Sequence, residues 1–227
     1  MDFRLDQAQF VVFLSSIESS GKLKIASAVA RAIGELSGVD PLMLPLPESA
    51  PQEIPRIQVQ NEVAGWAFTY SPLRIDLINT PKTVLQADSL PDALSELRER
   101  AAGLWSLLTT EVSAKGSRLA QIVTLTAPVG NAAAFIRGGF LSPRAGDQLA
   151  EAQVHFLRKV DVAGLSSNRW VRMLSQEASP DRVLVLVDFN TVGERKLEVN
   201  PGMIADFSVA TSKQLVEVLA ETMGGLG

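Results

Sequence analysis

Apolar residues in the first half of the chain change from a continuous run to a helical spacing and then to alternation with polar residues. The run at residues 10–15 predicts a buried strand. A helix ending near residue 36 should follow, because apolar residues recur at helical spacing as a buried stripe of Ile25, Val29, Ile33 and Leu36. Alternation then predicts three antiparallel strands, at residues 57–59, 66–70 and 73–77. The proline-rich stretch before them leaves room only for a short edge strand, at residues 42–46.

The first half ends in a long amphipathic helix at residues 90–111. Its apolar stripe consists of Leu90, Leu94, Leu97, Ala101, Leu104 and Leu108. Ser89 and Asp92 resemble a capping box at its start. Trp105 and Leu107 lie outside the stripe, and a helix with a second apolar flank is either deeply buried or offers that flank to a partner. We therefore expect Trp105 or Leu107 to lie at a twofold dimer contact.

The second half shows the same order of elements. Its predicted elements are a strand, a short helix, three strands and a final helix, at residues 119–126, 131–136, 149–162, 169–175, 182–190 and 212–223. Asn168 and the pair Ser179-Pro180 are expected in turns. Thr211 and Gln214 have the spacing of a capping box for the final helix.

These elements predict an α+β fold in which antiparallel sheet packs on one side against helices. Both halves run strand, helix, several strands, helix, which suggests two pseudo-repeated units at residues 1–116 and 117–227 within one compact domain. The two units share no residue-level identity, so the repeat rests on the order of elements alone.

Composition excludes several classes of protein. The chain has 227 residues, of which 46% are hydrophobic and 20% charged, and this is the composition of a folded domain. The net charge of −4 lacks the basic excess expected of a dedicated nucleic-acid binder. The chain has no cysteine, and no apolar stretch approaches the ~20 residues of a membrane span. We expect a cytoplasmic protein with no membrane partner, no metal and no cofactor.

The pair Gly21-Lys22 follows the first strand as in a phosphate-binding loop. That loop also needs an earlier glycine and a hydroxyl after the lysine, but Ser16 and Leu23 stand at those positions. The interpretation that fits better is a helix start capped by Ser19 or Ser20.

Two titratable residues are candidates for catalysis. His155, the only histidine, shares a predicted strand face with Leu157 and Lys159, where it is either a general base or an ordinary surface residue. Asp188 interrupts the apolar strand RVLVLVDFN, where it is either a functional carboxylate or the point at which the strand leaves the core.

Arginines in the predicted strands are candidates for anion binding. Arg158, Arg172 and Arg182 are the candidate ligand-binding residues, because guanidinium groups bind phosphate and carboxylate in bidentate geometry. The alternative is that the strand arginines form the solvated face of an antiparallel sheet. Trp66, Tyr70 and Trp170 would allow a sheet that stacks nucleobases, although the alternation indicates that they face the core.

Three functions are compatible with these patterns. The first is a non-enzymatic module that binds itself or another protein through sheet edges or a helix surface. The second is an enzyme that binds a small molecule or anion in a pocket between the two halves, using His155, Asp188 and the strand arginines. The third is a nucleic-acid-binding sheet.

Overall fold

One antiparallel sheet of ten strands forms the centre of the computed structural model, which describes residues 2–18, 21–47, 49–81, 83–142, 149–193 and 197–224. The strands are β1 (Asp2–Ser16), β2 (Leu42–Met43), β3 (Ile57–Asn61), β4 (Trp66–Ser71), β5 (Arg74–Asn79), β6 (Thr83–Gln86), β7 (Lys115–Pro128), β8 (Gln153–Val162), β9 (Leu165–Gln176) and β10 (Ser179–Thr191). Their spatial order is β2-β3-β4-β5-β1-β7-β10-β9-β8, and β6 pairs with the start of β1.

The helices pack on one face of this sheet, which we call the helix face. They are α1 (Lys22–Ala32), α2 (Leu90–Ala93), α3 (Ser95–Glu111), α4 (Ala132–Phe140) and α5 (Pro201–Gly224). The central helix α3 contacts α1, α5, β1 and β5, while α4 lies against β8, β9 and β10. In the part of the chain that the structure describes, no helix is long and apolar enough to cross a lipid bilayer.

Strand register assigns residues to the two faces of the sheet. One continuous line on the helix face, here called the core row, runs through Val59, Phe68, Leu77, Phe10, Gln121, Phe189, Arg169 and Arg158. Phe10 meets Phe207 of α5 edge-on, which fixes the side on which the helices lie. The neighbouring line on the opposite face, the outer row, runs through Gln60, Ala67, Ile78, Gln9, Ile122, Asp188, Trp170 and Leu157.

The two halves meet where β1 pairs with β7 along most of its length. Outward from this pair, the first half continues through β5, β4 and β3, and the second through β10, β9 and β8. The predicted α+β class with antiparallel sheet is confirmed. The predicted division between residues 116 and 117 falls inside β7.

Several predicted boundaries are wrong. The last helix begins at Pro201, and Thr211 lies inside it, with its hydroxyl bonded to Gln121 Oε1. Asn168 lies within β9, because the turn before that strand is formed by Ala163 and Gly164. The pair Ser179-Pro180 starts β10. Ser89 forms no side-chain cap, because a short 3₁₀ turn leads into α2.

Gly21 has a packing role at the start of α1. A Cβ on this residue would lie 2.6 Å from Val112 Cγ1, so only glycine lets the two segments approach so closely. The predicted caps Ser19 and Ser20 lie outside the described residues. The helix stripe Ile25, Val29, Ile33 and Leu36 is buried, as predicted, although the last two residues follow α1, and Leu36 lies in a separate 3₁₀ turn.

Candidate functional site: an arginine cleft and a free sheet edge

A cleft of about 170 Å³ opens on the helix face at the β8 end of the sheet. Its walls are mainly apolar, and the rings of Phe140 in α4 and Phe156 in β8 lie 5.6 Å apart. The other lining residues are Arg158, Arg169, Val171, Val218, Glu221 and Thr222. We call this site the arginine cleft.

Arg169 is a buried cation in the arginine cleft. It occupies a core-row position, shares its strand face with Val171 and Met173, and is only 8% exposed. Its Nη2 lies 3.8 Å from Glu221 Oε2, and its buried Nε has no hydrogen-bond partner. Burial lowers the pKa of Arg169, Glu221 opposes this shift, and Arg158 adds to it. A guanidinium in such surroundings is poorly compensated.

Arg158 lies directly opposite Arg169 in the β8–β9 register. Like charges at opposite positions of a strand pair repel each other. Both groups turn toward the same carboxylate oxygen, because Arg158 Nη1 donates to Glu221 Oε2 at 3.2 Å. In the cleft, the guanidinium groups of Arg158 and Arg169 therefore share a single carboxylate, that of Glu221. Glu217 is exposed and acts on Arg169 only through space.

His155 and Asp188 lie outside this cleft, on the outer face. They stand on β8 and β10, with β9 between them, so their strands are about 10 Å apart. No hydrogen bond joins these two described side chains, and Asp188 is instead bonded to Asn190. His155 is exposed and stands opposite Arg172.

Asp188 is not where its strand leaves the core. Val187 and Phe189 on either side of it are buried on the helix face, so Asp188 is simply an outward residue of an alternating strand. Burial among its neighbours raises its pKa, against the hydrogen bond from Asn190 and the charges of Arg118 and Arg172.

The strand arginines are divided between the two faces, so they do not form a single surface. Arg158 is in the arginine cleft, whereas Arg172 is exposed on the outer face and Arg182 lies near the far end of that face. Trp66 and Tyr70 are buried, as predicted, but Trp170 points to the outer face and is 39% exposed.

Trp105 lies inside the chain. It is 1% exposed, and its indole Nε1 donates to the carbonyl oxygen of Val199 at 2.9 Å. The expectation that Trp105 reaches a second subunit is therefore corrected, because α1 and α5 cover the two flanks of α3. Leu107 is half-buried against the same core, and a contact there stays a prediction.

The strand β8 forms one edge of the sheet. It pairs with β9 on one side, and among the described residues nothing pairs with it on the other. The opposite edge differs, since β3 is covered by the short strand β2. Two large apolar side chains on β8 face solvent, because Phe156 is 38% and Leu157 47% exposed.

Backbone groups on β8 point alternately toward β9 and away from it, and at the end of the strand the outward carbonyl oxygen of Asp161 accepts a hydrogen bond from Gln214 Nε2 at 2.7 Å. The two-residue turn at Ala163-Gly164, both with positive φ, makes Val162 and Leu165 a hydrogen-bonded pair. Two-residue alternation then turns the N–H and C=O groups of His155, Leu157 and Lys159 outward. These groups form the free edge of the sheet.

Sequence reasoning selected Arg158 as a candidate but did not select Arg169 or Glu221, which complete the charged part of the cleft. Arg169 has the same parity along β9 as Val171 and Met173, and that parity is the signal of a buried arginine. Glu221 belongs to a distant helix and has no such signal.

Comparison with known proteins identifies no relative of this chain. The chain matches no protein-family model, and neither a curated protein nor a solved structure is significantly similar to it. Within the described ranges, no group of three or more His, Asp or Glu side chains could hold a metal ion. The functional assignment therefore rests on the geometry of the chain itself.

Proposed function

We infer that this chain is a non-enzymatic interaction module that forms a homodimer by antiparallel pairing of β8 with β8 of a second copy. The supporting observation is the free edge of β8, which is long and carries two exposed apolar side chains. Such an edge is a template for pairing with another strand.

Pairing about a twofold axis at Leu157 suits the side chains of β8. It sets the two Leu157 side chains beside each other, and each of them also lies next to Trp170 of its own chain. The outer row then continues from one chain into the next. Apolar surface that is exposed in one chain would then be covered. The charged residues Arg158, Lys159 and Asp161 limit pairing in other registers.

The proposal includes an internal repeat of two units, each of the order strand, helix, three-stranded meander, helix. It is supported by the matching strand orders β1-β5-β4-β3 and β7-β10-β9-β8. On this view the β1–β7 pair already joins two units edge to edge, and β8 would join units from two chains in a similar manner.

The test compares Leu157→Pro with Leu157→Val by size-exclusion chromatography with light scattering at micromolar concentration. Proline removes an N–H that points away from β9, so the variant keeps the β8–β9 hydrogen bonds but cannot pair fully at the free edge. We expect a dimeric wild type, a dimeric Leu157→Val and a monomeric Leu157→Pro.

Circular dichroism and the melting temperature confirm that each variant is folded. A monomeric wild type, or a folded Leu157→Pro that stays dimeric, refutes edge pairing. Leu107→Glu tests the alternative dimer contact on α3, because only a dimer formed through that helix would dissociate in this variant.

A further inference from the structure

The two arginines of the cleft stand where the first half of the chain has apolar core residues. Counted outward from the β1–β7 pair along the core row, the first half reaches Leu77, Phe68 and Val59, all buried. At the corresponding steps the second half reaches Phe189, Arg169 and Arg158. Arg169 and Arg158 thus occupy sheet positions whose counterparts in the first half, Phe68 and Val59, belong to the core.

A purely structural arginine in the same chain looks different. Arg100 on α3 packs over the ring of Trp66, with its Cζ 4.9 Å from the ring centroid. Its terminal nitrogens bind Glu35 at 2.5 Å and Glu96 at 2.6 Å. Arg100 Nε also donates to Glu96 at 3.1 Å, so every guanidinium nitrogen of Arg100 meets a carboxylate, whereas the buried Nε of Arg169 has no partner.

We propose that the arginine cleft binds a small monocarboxylate with an aromatic or branched apolar body. The carboxylate takes the Nε and Nη edge of Arg169 in bidentate geometry, and the apolar body lies against Phe140, Phe156 and Val218. This assignment does not require the proposed dimer, because every residue that lines the cleft belongs to one chain.

Charge and shape select this class of ligand. Two guanidinium groups face one carboxylate in direct contact, so one further negative charge balances them. Glu221 is more than half exposed, so its carboxylate can move off Arg169 and keep its contact with Arg158 when the ligand enters. A cleft of about 170 Å³ that is partly walled by Phe140, Phe156, Val171 and Val218 fits a compact apolar body, which phosphate lacks.

The experiment is a calorimetric titration of the full chain with phenylacetate, and with phenylacetamide and inorganic phosphate as comparison ligands. The amide keeps the ring and loses the charge, so we expect its affinity to be lower by about tenfold or more. Phosphate, which lacks the apolar body, should bind more weakly than phenylacetate.

Three variants locate the site. Arg169→Met should abolish phenylacetate binding while the melting temperature is kept or raised, because a methionine suits a core-row position. Arg158→Gln should weaken binding by about tenfold. Arg172→Gln changes an exposed arginine on the other face of the same strand and should bind like the wild type.

Each contrary result overturns the assignment. Failure of phenylacetate to bind at millimolar concentration, or equal binding by a folded Arg169→Met, removes the site. A lowered melting temperature in Arg169→Met without loss of binding shows that Arg169 is structural only. Phosphate binding as tight as phenylacetate binding contradicts the apolar part of the assignment.

Discussion

Asp188 shows how a carboxylate is held on the outer face of a largely apolar strand. The side chains before and after it point into the core, so its position follows from alternation along β10 and requires no catalytic role. Its neighbours on the outer face still remove part of its hydration, which explains why its pKa is raised.

At the scale of single residues, the first prediction concerns the pH dependence of stability. A carboxyl group whose pKa is raised on folding binds its proton more tightly in the folded state. The free energy of unfolding therefore falls as the pH rises from the unfolded pKa, near 4, through the folded pKa, and Asp188→Asn should escape this loss. We expect Asp188→Asn to gain stability over the wild type at pH 7 and not at pH 3.

Urea unfolding at both pH values measures this difference. Asp181→Asn, which removes an exposed carboxylate at the start of the same strand, serves as the control for the loss of one charge. An Asp188→Asn variant whose advantage is equal at the two pH values would contradict the prediction.

Residue-level prediction succeeded where periodicity determined the face and failed where other elements determined the surroundings. His155 lies on an outward strand face, as its parity indicates. The pattern of α3 predicts a subunit contact at Trp105 or Leu107, because one helix cannot reveal that α5 and the segment at Val199 cover Trp105. The cleft needed Glu221, which only the tertiary fold brings to Arg169.

At the scale of elements, the start of α5 is a case in which a weak signal was overlooked. Asn200 Oδ1 accepts a hydrogen bond from the N–H of Met203 at 2.9 Å, and Pro201 occupies the first helical position. The hydroxyls of Thr211 and Ser212 resemble caps in sequence, yet they bond to groups inside the fold, including the Ser208 carbonyl. Serine and threonine can satisfy a helix carbonyl as well as an N-terminus, so sequence alone does not separate the two uses.

The second prediction is that Asn200→Ala lowers the free energy of unfolding by about 1 kcal/mol, because one N–H at the start of α5 loses its acceptor. Chemical denaturation measures the loss. Ser89→Ala is the matched control, since Ser89 has the sequence of a cap and makes no capping bond, and it should change stability much less. Equal losses in the two variants would show that the Asn200 contact adds nothing.

Strands were predicted better than helix ends because alternation extends over a whole strand, whereas a helix end depends on one or two residues. The strands β4, β5 and β10 follow their apolar alternation closely. The long pairing of β1 was not visible, since its early residues are mixed in polarity and are held by β6 and β7.

At the scale of the whole molecule, the β1–β7 pair makes the two halves parts of one sheet. Each half uses the central strand of the other to complete its hydrogen bonding. The core extends from one half into the other, because Phe10 of β1 packs on Phe207 of α5. Separate folding of either half would leave a long, apolar strand edge exposed.

The third prediction is a single cooperative unfolding transition for the whole chain. In Trp170→Phe the remaining tryptophans, Trp66 and Trp105, report on the first half by fluorescence, while circular dichroism reports on the entire chain. We expect the two signals to give the same midpoint in urea. Two separated midpoints would show that the halves are independent folding units.

The pairing of β1 with β7 also has a consequence for synthesis of the chain. Contacts such as the one from Ser117 Oγ to the carbonyl oxygen of Phe13 span 104 residues. At a translation rate of about 5 to 20 residues per second, β1 leaves the ribosome roughly 5 to 20 s before the strand that covers its edge. Throughout that interval β1 lacks its central partner strand, so we expect the nascent chain to be most exposed to aggregation before β7 emerges.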